Sequence, residues 1–215
     1  MSNIEDDVVI LARTNMRNNR VCIGGFSLSQ NKYVRLLNSS GNNMSENEAP
    51  YQIKQVYKIH YQIRSNIIAP HHEDVLVLNS SLNDVMLPRH FINLLKYLSI
   101  PNIHIKDLFA GLLNWEGKKS SGFLLESQSY YPSTSVMIAQ LNHDLYLSHY
   151  EDRMYYFKDS SLNKTFEVRY VGTENLDNKK RIPSGTYIRF SLARWWDNNG
   201  RYNPKRSYLQ LSGIY

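Results

Sequence analysis

The closing part of the chain, TYIRFSLARWWDNNGRYNPKRSYLQLSGIY, places basic and aromatic side chains close together. Phosphate groups are bound by fixed positive charge, and every nucleobase offers a face on which an aromatic ring can stack. These residue types together are therefore typical of a surface that binds single-stranded nucleic acid. The candidate binding residues in this part are Arg189, Arg194, Trp196, Arg201, Tyr202, Lys205 and Arg206.

Alternation along the predicted strand TYIRFSLARWW decides where its side chains point. Arg189 alternates with Ile188 and Phe190, so we expect it to project from the sheet and away from the core. Trp195 and Trp196 are adjacent and should lie on opposite faces, one buried and one exposed. The sequence leaves open which of the two tryptophans is buried.

A second basic group lies near the start of the chain. Arg13, Arg17 and Arg20 flank the predicted loop between the first two strands, and Arg35 belongs to the third strand. These four are candidate phosphate contacts. They could equally be exposed arginines whose aliphatic stems pack on the sheet.

Positive charge is concentrated at the two ends of the sequence, although the net charge is only +6. Residues 8–45 contain five basic side chains and no acidic one, and residues 179–215 contain eight basic side chains against Asp197 alone. Such an asymmetry favours a polyanionic partner such as a nucleic acid, although solvated faces and internal ion pairs can give the same pattern.

The stretch HHED, residues 71–74, could suggest a metal site. Adjacent side chains in an extended segment diverge, and no second group of His, Cys or Asp has the spacing of metal ligands. We therefore expect a solvated loop here, with no bound metal and no cofactor. Cys22 lies in an apolar run and is expected to be a small buried hydrophobe. Without a P-loop, a dinucleotide fingerprint or a nucleophile elbow, the sequence predicts a protein that is not an enzyme.

The hydrophobic pattern predicts an all-β fold with a small helical insert. Short runs rich in β-branched and aromatic residues alternate with turn residues in both halves of the chain. Near residues 84–113 the period changes, and PRHFINLLKYL places four residues on one helical stripe: Phe91, Leu94, Leu95 and Leu98. The predicted domains are residues 1–115, including the insert, and residues 116–215.

The location in the cell is predicted from three features that the sequence lacks: a pair of cysteines, a membrane-spanning run and a signal peptide. The single cysteine cannot form an intramolecular disulfide, and no apolar run approaches the roughly 20 residues needed to cross a bilayer. The start of the chain has neither the basic region nor the cleavage site of a signal peptide. We expect a cytoplasmic protein without membrane contact.

Two segments together resemble the bacterial dual OB domain-containing proteins. The first is ILARTNMRNNRVCIGGFSLSQNKYVRLLN, and the second comprises FSLARWW and YLQLSGIY, with Ile214 where a larger aromatic residue is expected. The resemblance implies two OB-like β-barrels in one chain and a role in nucleic-acid recognition beside enzymes of phage defence or nucleic-acid modification. It also implies that the loop carrying Arg17 borders a ligand groove.

These observations predict a protein that binds single-stranded or structured RNA or DNA, as the recognition or adaptor component of a system whose catalysis is supplied by a protein partner. The alternative is a protein-interaction module that docks an effector enzyme without nucleic-acid contact, because arginine and aromatic residues are also enriched in protein interfaces. An enzyme would require polar residues that converge in a pocket, which the sequence does not display.

Overall fold

The computed structural model describes residues 3–176 and 179–215. The chain divides into two compact units, Met1–Tyr97 and Leu98–Tyr215. The segment 98–115, which the sequence assigned to the first domain, thus belongs to the second unit.

The first unit is built from six strands and one helix. Their bounds are β1 (Asn3–Met16), β2 (Arg20–Ser27), β3 (Lys32–Leu37), β4 (Met44–Ser45), β5 (Gln55–Ile63), β6 (Asp74–Val85) and α1 (Pro88–Leu98). The helix buries Phe91 and Leu95, as the helical stripe in the sequence predicts.

Five of these strands close into a barrel. The order is β1, β5, β6, β3 and β2, and β2 pairs again with β1. β3 and β6 are parallel, and the other four pairings are antiparallel. This is the Greek-key order of an OB fold. Successive side chains of β5 point to opposite faces of the sheet. Tyr57, Ile59 and Tyr61 therefore pack in the barrel core, whereas Lys58 and His60 remain exposed.

The two adjacent glycines of β2 lie opposite a bulge in β1. The register between β1 and β2 shifts between Ile10 and Ala12, whose partners are Gly25 and Gly24. A Cβ atom on Gly25 would lie 2.6 Å from Cγ1 of Val8 and 3.0 Å from a backbone oxygen. Gly25 is therefore required by the close approach of the two strands at a bend of the barrel.

The second unit contains ten strands and a short 3-10 helix at Ile105–Gly111. The strand bounds are β7 (Ser99–Ile103), β8 (Lys119–Ser121), β9 (Phe123–Leu125), β10 (Val136–Leu141), β11 (Leu145–Leu147), β12 (Met154–Asp159), β13 (Lys164–Tyr170), β14 (Arg181–Ile182), β15 (Tyr187–Leu192) and β16 (Arg206–Ile214). The described residues contain only two short helices, so the predicted all-β class with a helical insert is confirmed.

The sheet of the second unit repeats most of the barrel order. β12 pairs with β13, β13 pairs in parallel with β16, and β15 joins β16 to β10. These are four of the five pairings of the first unit, including the parallel one. Among the described residues no ladder joins β10 to β12; β10 pairs instead with β7, and β12 with β11. The second unit is thus a variant of the same OB topology.

None of the helices among the described residues is both long enough and apolar enough to span a bilayer.

Replacing Gly25 by alanine should destabilise the protein by about 1–3 kcal/mol, because the new methyl group would overlap Val8 in a barrel that has no free space there. Urea denaturation followed by circular dichroism measures this loss. Ser133→Ala, in an exposed loop, is the control and should change the free energy of unfolding by no more than about 0.5 kcal/mol. Equal stability of the two variants would contradict the close approach.

Candidate nucleic-acid interface

The loop between β15 and β16, residues 193–205, is held at its base by the backbone. Trp196 and Arg206 form two reciprocal backbone hydrogen bonds, each of 2.9 Å. Within the loop the Tyr202 amide donates to the carbonyl oxygen of Asp197 at 2.7 Å. Asn198, Asn199 and Gly200 have left-handed φ angles of 52°, 56° and 81°, which asparagine and glycine adopt most readily. The loop therefore has a defined shape.

Three aromatic rings gather beside this loop. Trp196, Tyr202 and Tyr208 have ring centroids 5.7 to 6.5 Å apart. Trp196 is 42% exposed and is the solvent-facing member of the tryptophan pair, whereas Trp195 packs on the core beside Tyr131. The cluster offers exposed ring surface on which a base could stack.

Arg206 is the scaffold of this aromatic cluster. Its guanidinium carbon lies 4.3 Å from the ring centroid of Phe123 and 4.4 Å from that of Tyr202. Both terminal nitrogens donate to the carboxylate of Glu116, at 3.0 and 3.2 Å. Because a carboxylate and two rings engage its guanidinium group, Arg206 holds the rings in place.

The remaining predicted residues of the closing segment differ in exposure. Arg201 is exposed in the loop, and Lys205 lies 3.5 Å from a carboxylate oxygen of Glu126. Arg194 is half-buried. Arg201 and Lys205 are thus the exposed cations of this loop.

The predicted outward direction of Arg189 is wrong. The side chain is 5% exposed, and Nη1 donates to the Ser212 hydroxyl at 2.7 Å. The reason is that β15 lies inside a sheet covered on both faces: Ile138, the partner of Arg189 on β10, is also fully buried. The alternation of side chains along a strand predicts the face of the sheet on which a residue lies. It does not predict whether that face is exposed to solvent.

Arg13 and Arg35 also serve the structure. The Arg13 guanidinium is buried and donates to the carbonyl oxygens of Ala49 at 2.8 Å and Tyr51 at 3.1 Å. Arg35 pairs through Nε with the buried carboxylate of Asp74 at 2.5 Å. Neither group is directed at solvent. Both were predicted as phosphate contacts because the sequence does not show the distant acceptors that they reach.

Arg17 and Arg20 remain exposed at the β1–β2 loop. This loop often borders the ligand groove in OB folds. They stay candidate phosphate contacts of the first unit.

The prediction of a solvated loop for HHED is also wrong. His71, Glu73 and Asp74 are buried, and only His72 is exposed. Asp74 accepts from Arg35 and, at 3.0 Å, from Arg64. The stretch therefore carries a buried ion-pair network. No group of three or more metal-ligating side chains occurs among the described residues.

A different exposed surface lies on the second unit, and the sequence analysis missed it. One face of the sheet carries a row of directly opposed residues that crosses five strands. Following β8, β13, β12, β11 and β14, the row is Ser121, Glu167, Tyr156, Tyr146 and Arg181. Tyr146 is 43% exposed, and its ring centroid lies 6.2 Å from that of Tyr156. We call this surface the tyrosine face.

Basic side chains surround the two tyrosines. The exposed cations of the tyrosine face are Lys119, Lys158, Arg169 and Arg181. Lys119 pairs with Glu167 at 3.1 Å, Arg181 with Asp144 at 2.6 Å, and Arg169 with Glu151. The Arg169–Glu151 pair is exposed on both sides and contributes only about 0–1 kcal/mol, so Arg169 can exchange its carboxylate for a phosphate at little cost. The carboxylates that pair with Lys119 and Arg181 are largely buried. For Lys158, no ion pair is found among the described residues.

The tyrosine face includes the strands that occupy positions 2 and 3 of an OB barrel. β13 pairs in parallel with the last strand, as β3 does in the first unit, so β12 and β13 take the places of barrel strands 2 and 3. In OB folds the face of strands 2 and 3, together with the loops before strands 2 and 5, binds oligonucleotides. The loop at 193–205 is the second of these loops. In the first unit the equivalent outward positions, Val9 and Phe26, are buried.

Comparison with known proteins supports this topology. The family model described as the dual OB-containing domain matches residues 6–214. The chain belongs to the dual OB-containing domain family. A search of curated proteins finds no significant match. Among solved structures, the structure of a murine DNA binding protein bound with double-stranded DNA covers 99% of this chain and 91% of its own, at 14% identity and a TM-score of 0.35, a low overall likeness.

This dual OB chain also contains a cluster of titratable groups beside its second core. His104 lies 3.0 Å from the Asp159 carboxylate, and its Nδ1 accepts from the Lys106 amide. The His143 ring stacks on Phe157 at a centroid distance of 3.6 Å. Burial lowers the pKa of His143 to about 4, and the neighbouring His104 acts in the same direction, whereas Asp159 and Asp144 oppose it. His143 is thus neutral at physiological pH.

Replacing Asp74 by asparagine should cost about 3–5 kcal/mol, because the change leaves Arg35 and Arg64 near a neutral group in a buried site. Chemical denaturation measures the loss. Asp84→Asn, at an exposed position of the same strand, is the matched control and should stay within about 0.5 kcal/mol of wild type. Similar stability of both variants would show that the network does not support the barrel.

The stability of the dual OB chain should fall as the pH is lowered from 6.5 towards 4. In this window unfolded His143, with its ordinary pKa of 6.5, takes up a proton that the folded form refuses, so protonation favours unfolding. Denaturation at a series of pH values measures this slope. His143→Phe keeps an aromatic ring against Phe157 and should flatten the slope. An unchanged slope would assign the pH dependence to other groups.

Proposed function

We propose that this dual OB protein binds single-stranded nucleic acid on its second unit, along the tyrosine face and the loop at 193–205. The observation that carries the proposal is the pair of exposed Tyr146 and half-buried Tyr156, surrounded by exposed cations. Tyr156 lies on β12, a strand equivalent to a ligand-binding strand of OB folds, and Tyr146 lies on the neighbouring β11. Stacking on rings and charge on the backbone together suit a flexible single strand.

The closing loop adds a second stacking position. Trp196 is exposed and held by the Arg206 scaffold, and Arg201 is exposed beside it. Both elements belong to the second unit. The sequence preference of such a surface is expected to be low, because every base can stack and the cations contact only phosphates.

A duplex is the less favoured ligand. The only helix of α type among the described residues, α1, belongs to the first unit and buries Phe91 and Leu95. A major-groove reader needs a helix or ribbon that projects basic and polar side chains into the groove. The tyrosine face is instead a sheet surface whose central residues are rings.

The wider role remains the one predicted from the sequence. We propose that the protein is a recognition or adaptor component and that a partner protein supplies catalysis. The assignment to a bacterial defence or nucleic-acid modification system rests on the family resemblance. Whether the strand is RNA or DNA is decided by experiment.

The proposal is tested by binding of fluorescent single-stranded RNA, single-stranded DNA and duplex to wild type and to Tyr146→Ala and Trp196→Ala. Each substitution should weaken single-strand binding by about 1–3 kcal/mol, the contribution of one stacked base. Fluorescence anisotropy measures the dissociation constants. Tyr130→Ala is the control, because Tyr130 is exposed on the same unit and lies outside both elements. Equal effects of all three substitutions, or no binding by wild type at low salt, would overturn the proposal.

Salt dependence separates phosphate contacts from stacking. The slope meant here is that of the logarithm of the association constant against the logarithm of the salt concentration. Lys158→Glu should reduce the magnitude of this slope by about 0.7, because one phosphate contact is lost. Tyr146→Ala should lower the affinity and leave the slope unchanged. Lys106→Glu, at an exposed position of the 3-10 helix, is the charge-matched control and should leave the slope of wild type. An unchanged slope for Lys158→Glu would remove that residue from the interface.

A further inference from the structure

A cavity of about 380 Å³ lies at the end of the sheet of the second unit, where β11 ends and β12 begins. Among the described residues, its apolar lining comes from the buried Tyr155 and Tyr170 and the half-buried Leu147 and Leu176. Pockets that hold small organic ligands begin at about 300 Å³ and combine apolar walls with a few polar groups. The cavity is therefore large enough for a single nucleobase.

Hydrogen bonding and close packing fix the two tyrosines of this cavity. The Tyr155 hydroxyl donates to the carbonyl oxygen of Lys179 at 2.7 Å. A Cβ atom on Gly172 would overlap the Tyr170 hydroxyl, so the glycine leaves the space that this ring occupies. Burial raises the pKa of Tyr170 to about 12, and the nearby charge of Glu174 acts in the same direction. The Tyr170 hydroxyl therefore keeps its proton at physiological pH.

The charged side chains among the described lining residues are Arg153, Asp152 and Glu174. The guanidinium carbon of Arg153 lies 4.9 Å from the ring centroid of Tyr170, and Nη2 donates to the carbonyl oxygen of Gly172. For Glu174, no ion pair is found among the described residues. One guanidinium group against two carboxylates disfavours a phosphate and favours a ligand group with N–H donors.

The cavity adjoins the tyrosine face. Tyr155 follows Tyr156 in the chain order reversed along β12 towards its first residue, and its side chain points to the opposite side of the sheet. Arg169 of the tyrosine face donates to the carbonyl oxygen of Asp152 at 3.2 Å, and Asp152 lines the cavity. A strand that crosses the tyrosine face could therefore turn one base around the end of the sheet and into the cavity.

Guanine is the nucleobase that matches this lining. Its Watson–Crick edge presents adjacent N–H donors, which a single carboxylate can accept together, and its O6 and N7 accept hydrogen bonds from arginine. On the Watson–Crick edges of adenine, cytosine, thymine and uracil, each donor lies beside an acceptor, whose lone pair repels a carboxylate. Unpaired bases are commonly recognised by hydrogen bonds to this edge and by packing of their faces on aromatic side chains.

We propose that the cavity holds one unpaired guanine of the bound strand, with Glu174 accepting hydrogen bonds from its Watson–Crick edge and Arg153 donating to O6 or N7. This site rests on the proposed function, because the tyrosine face binds the strand that delivers the base. It adds one position of base preference to a surface that otherwise binds through stacking and phosphate contacts.

Two fluorescent oligothymidines, identical except for a central guanine or hypoxanthine, test the proposal together with plain oligothymidine. Hypoxanthine lacks the exocyclic amine of guanine, so it cannot offer adjacent donors to the carboxylate. Measured by fluorescence anisotropy, the wild-type dissociation constant should be at least about fivefold lower for the guanine strand than for the hypoxanthine strand. Glu174→Gln should remove most of that difference. Glu48→Gln, at an exposed position of the first unit, is the matched control and should keep it.

Guanosine 5′-monophosphate distinguishes a base of a strand from a free nucleotide. It should bind more weakly than the guanine strand, because a mononucleotide makes no contact with the tyrosine face. Tighter binding of the mononucleotide would assign the cavity to a free nucleotide and overturn the proposal. Equal wild-type affinity for the three strands, or a guanine preference that persists in Glu174→Gln, would overturn the guanine site and leave the proposed function standing. No binding of any strand would overturn both.

Discussion

The parallel contact between β3 and β6 is the constraint on which the first barrel depends. Of the five pairings that close the ring, four are antiparallel and this one is parallel. Arg35 and Asp74 are partners in that ladder, and their side chains form the buried ion pair, to which Arg64 adds a second guanidinium. Charge and hydrogen bonding thus reinforce the barrel at the seam where two distant parts of the chain must meet.

The second unit uses the same parallel seam without that ion pair. At the contact of β13 with β16, Arg169 is opposite Gln210 and Tyr170 is opposite Leu211. Arg169 is exposed and pairs with Glu151 at the surface. Arg35, the arginine at the seam of the first unit, therefore stabilises the barrel through a buried ion pair. Arg169, at the seam of the second unit, remains accessible to a ligand. In the second unit the seam arginine therefore lies exposed at the tyrosine face.

Much of the fold was predictable from local pattern. The alternation of Tyr57, Ile59 and Tyr61 and the helical stripe around Phe91 gave the correct strands and helix because both patterns reflect burial within a single element. The tyrosine face could have been found in the same way, since in MYYFKD the residues Tyr156 and Lys158 alternate with two core positions.

The fate of the arginines was not predictable. Arg13 reaches carbonyl oxygens that lie more than 30 residues away in the sequence, and Arg189 lies on a face whose cover comes from elsewhere in the fold. Local spacing contains no information on these partners. Clustering of positive charge in a sequence therefore overstates the positive charge that is available at the surface, because a β-barrel uses guanidinium groups to satisfy carbonyls at its ends and seams.

The contacts of Arg206 order the closing loop, residues 193–205, in the free protein. Its carboxylate partner Glu116 and the flanking rings of Phe123 and Tyr202 fix the shape of the closing loop before any ligand arrives. A loop that is already ordered loses little conformational entropy on complex formation, so more of the interaction energy is retained as affinity. A single-stranded nucleic acid should then bind to a loop that is already in its bound conformation. Most of the conformational entropy lost on binding would be lost by the flexible nucleic acid and little by the protein.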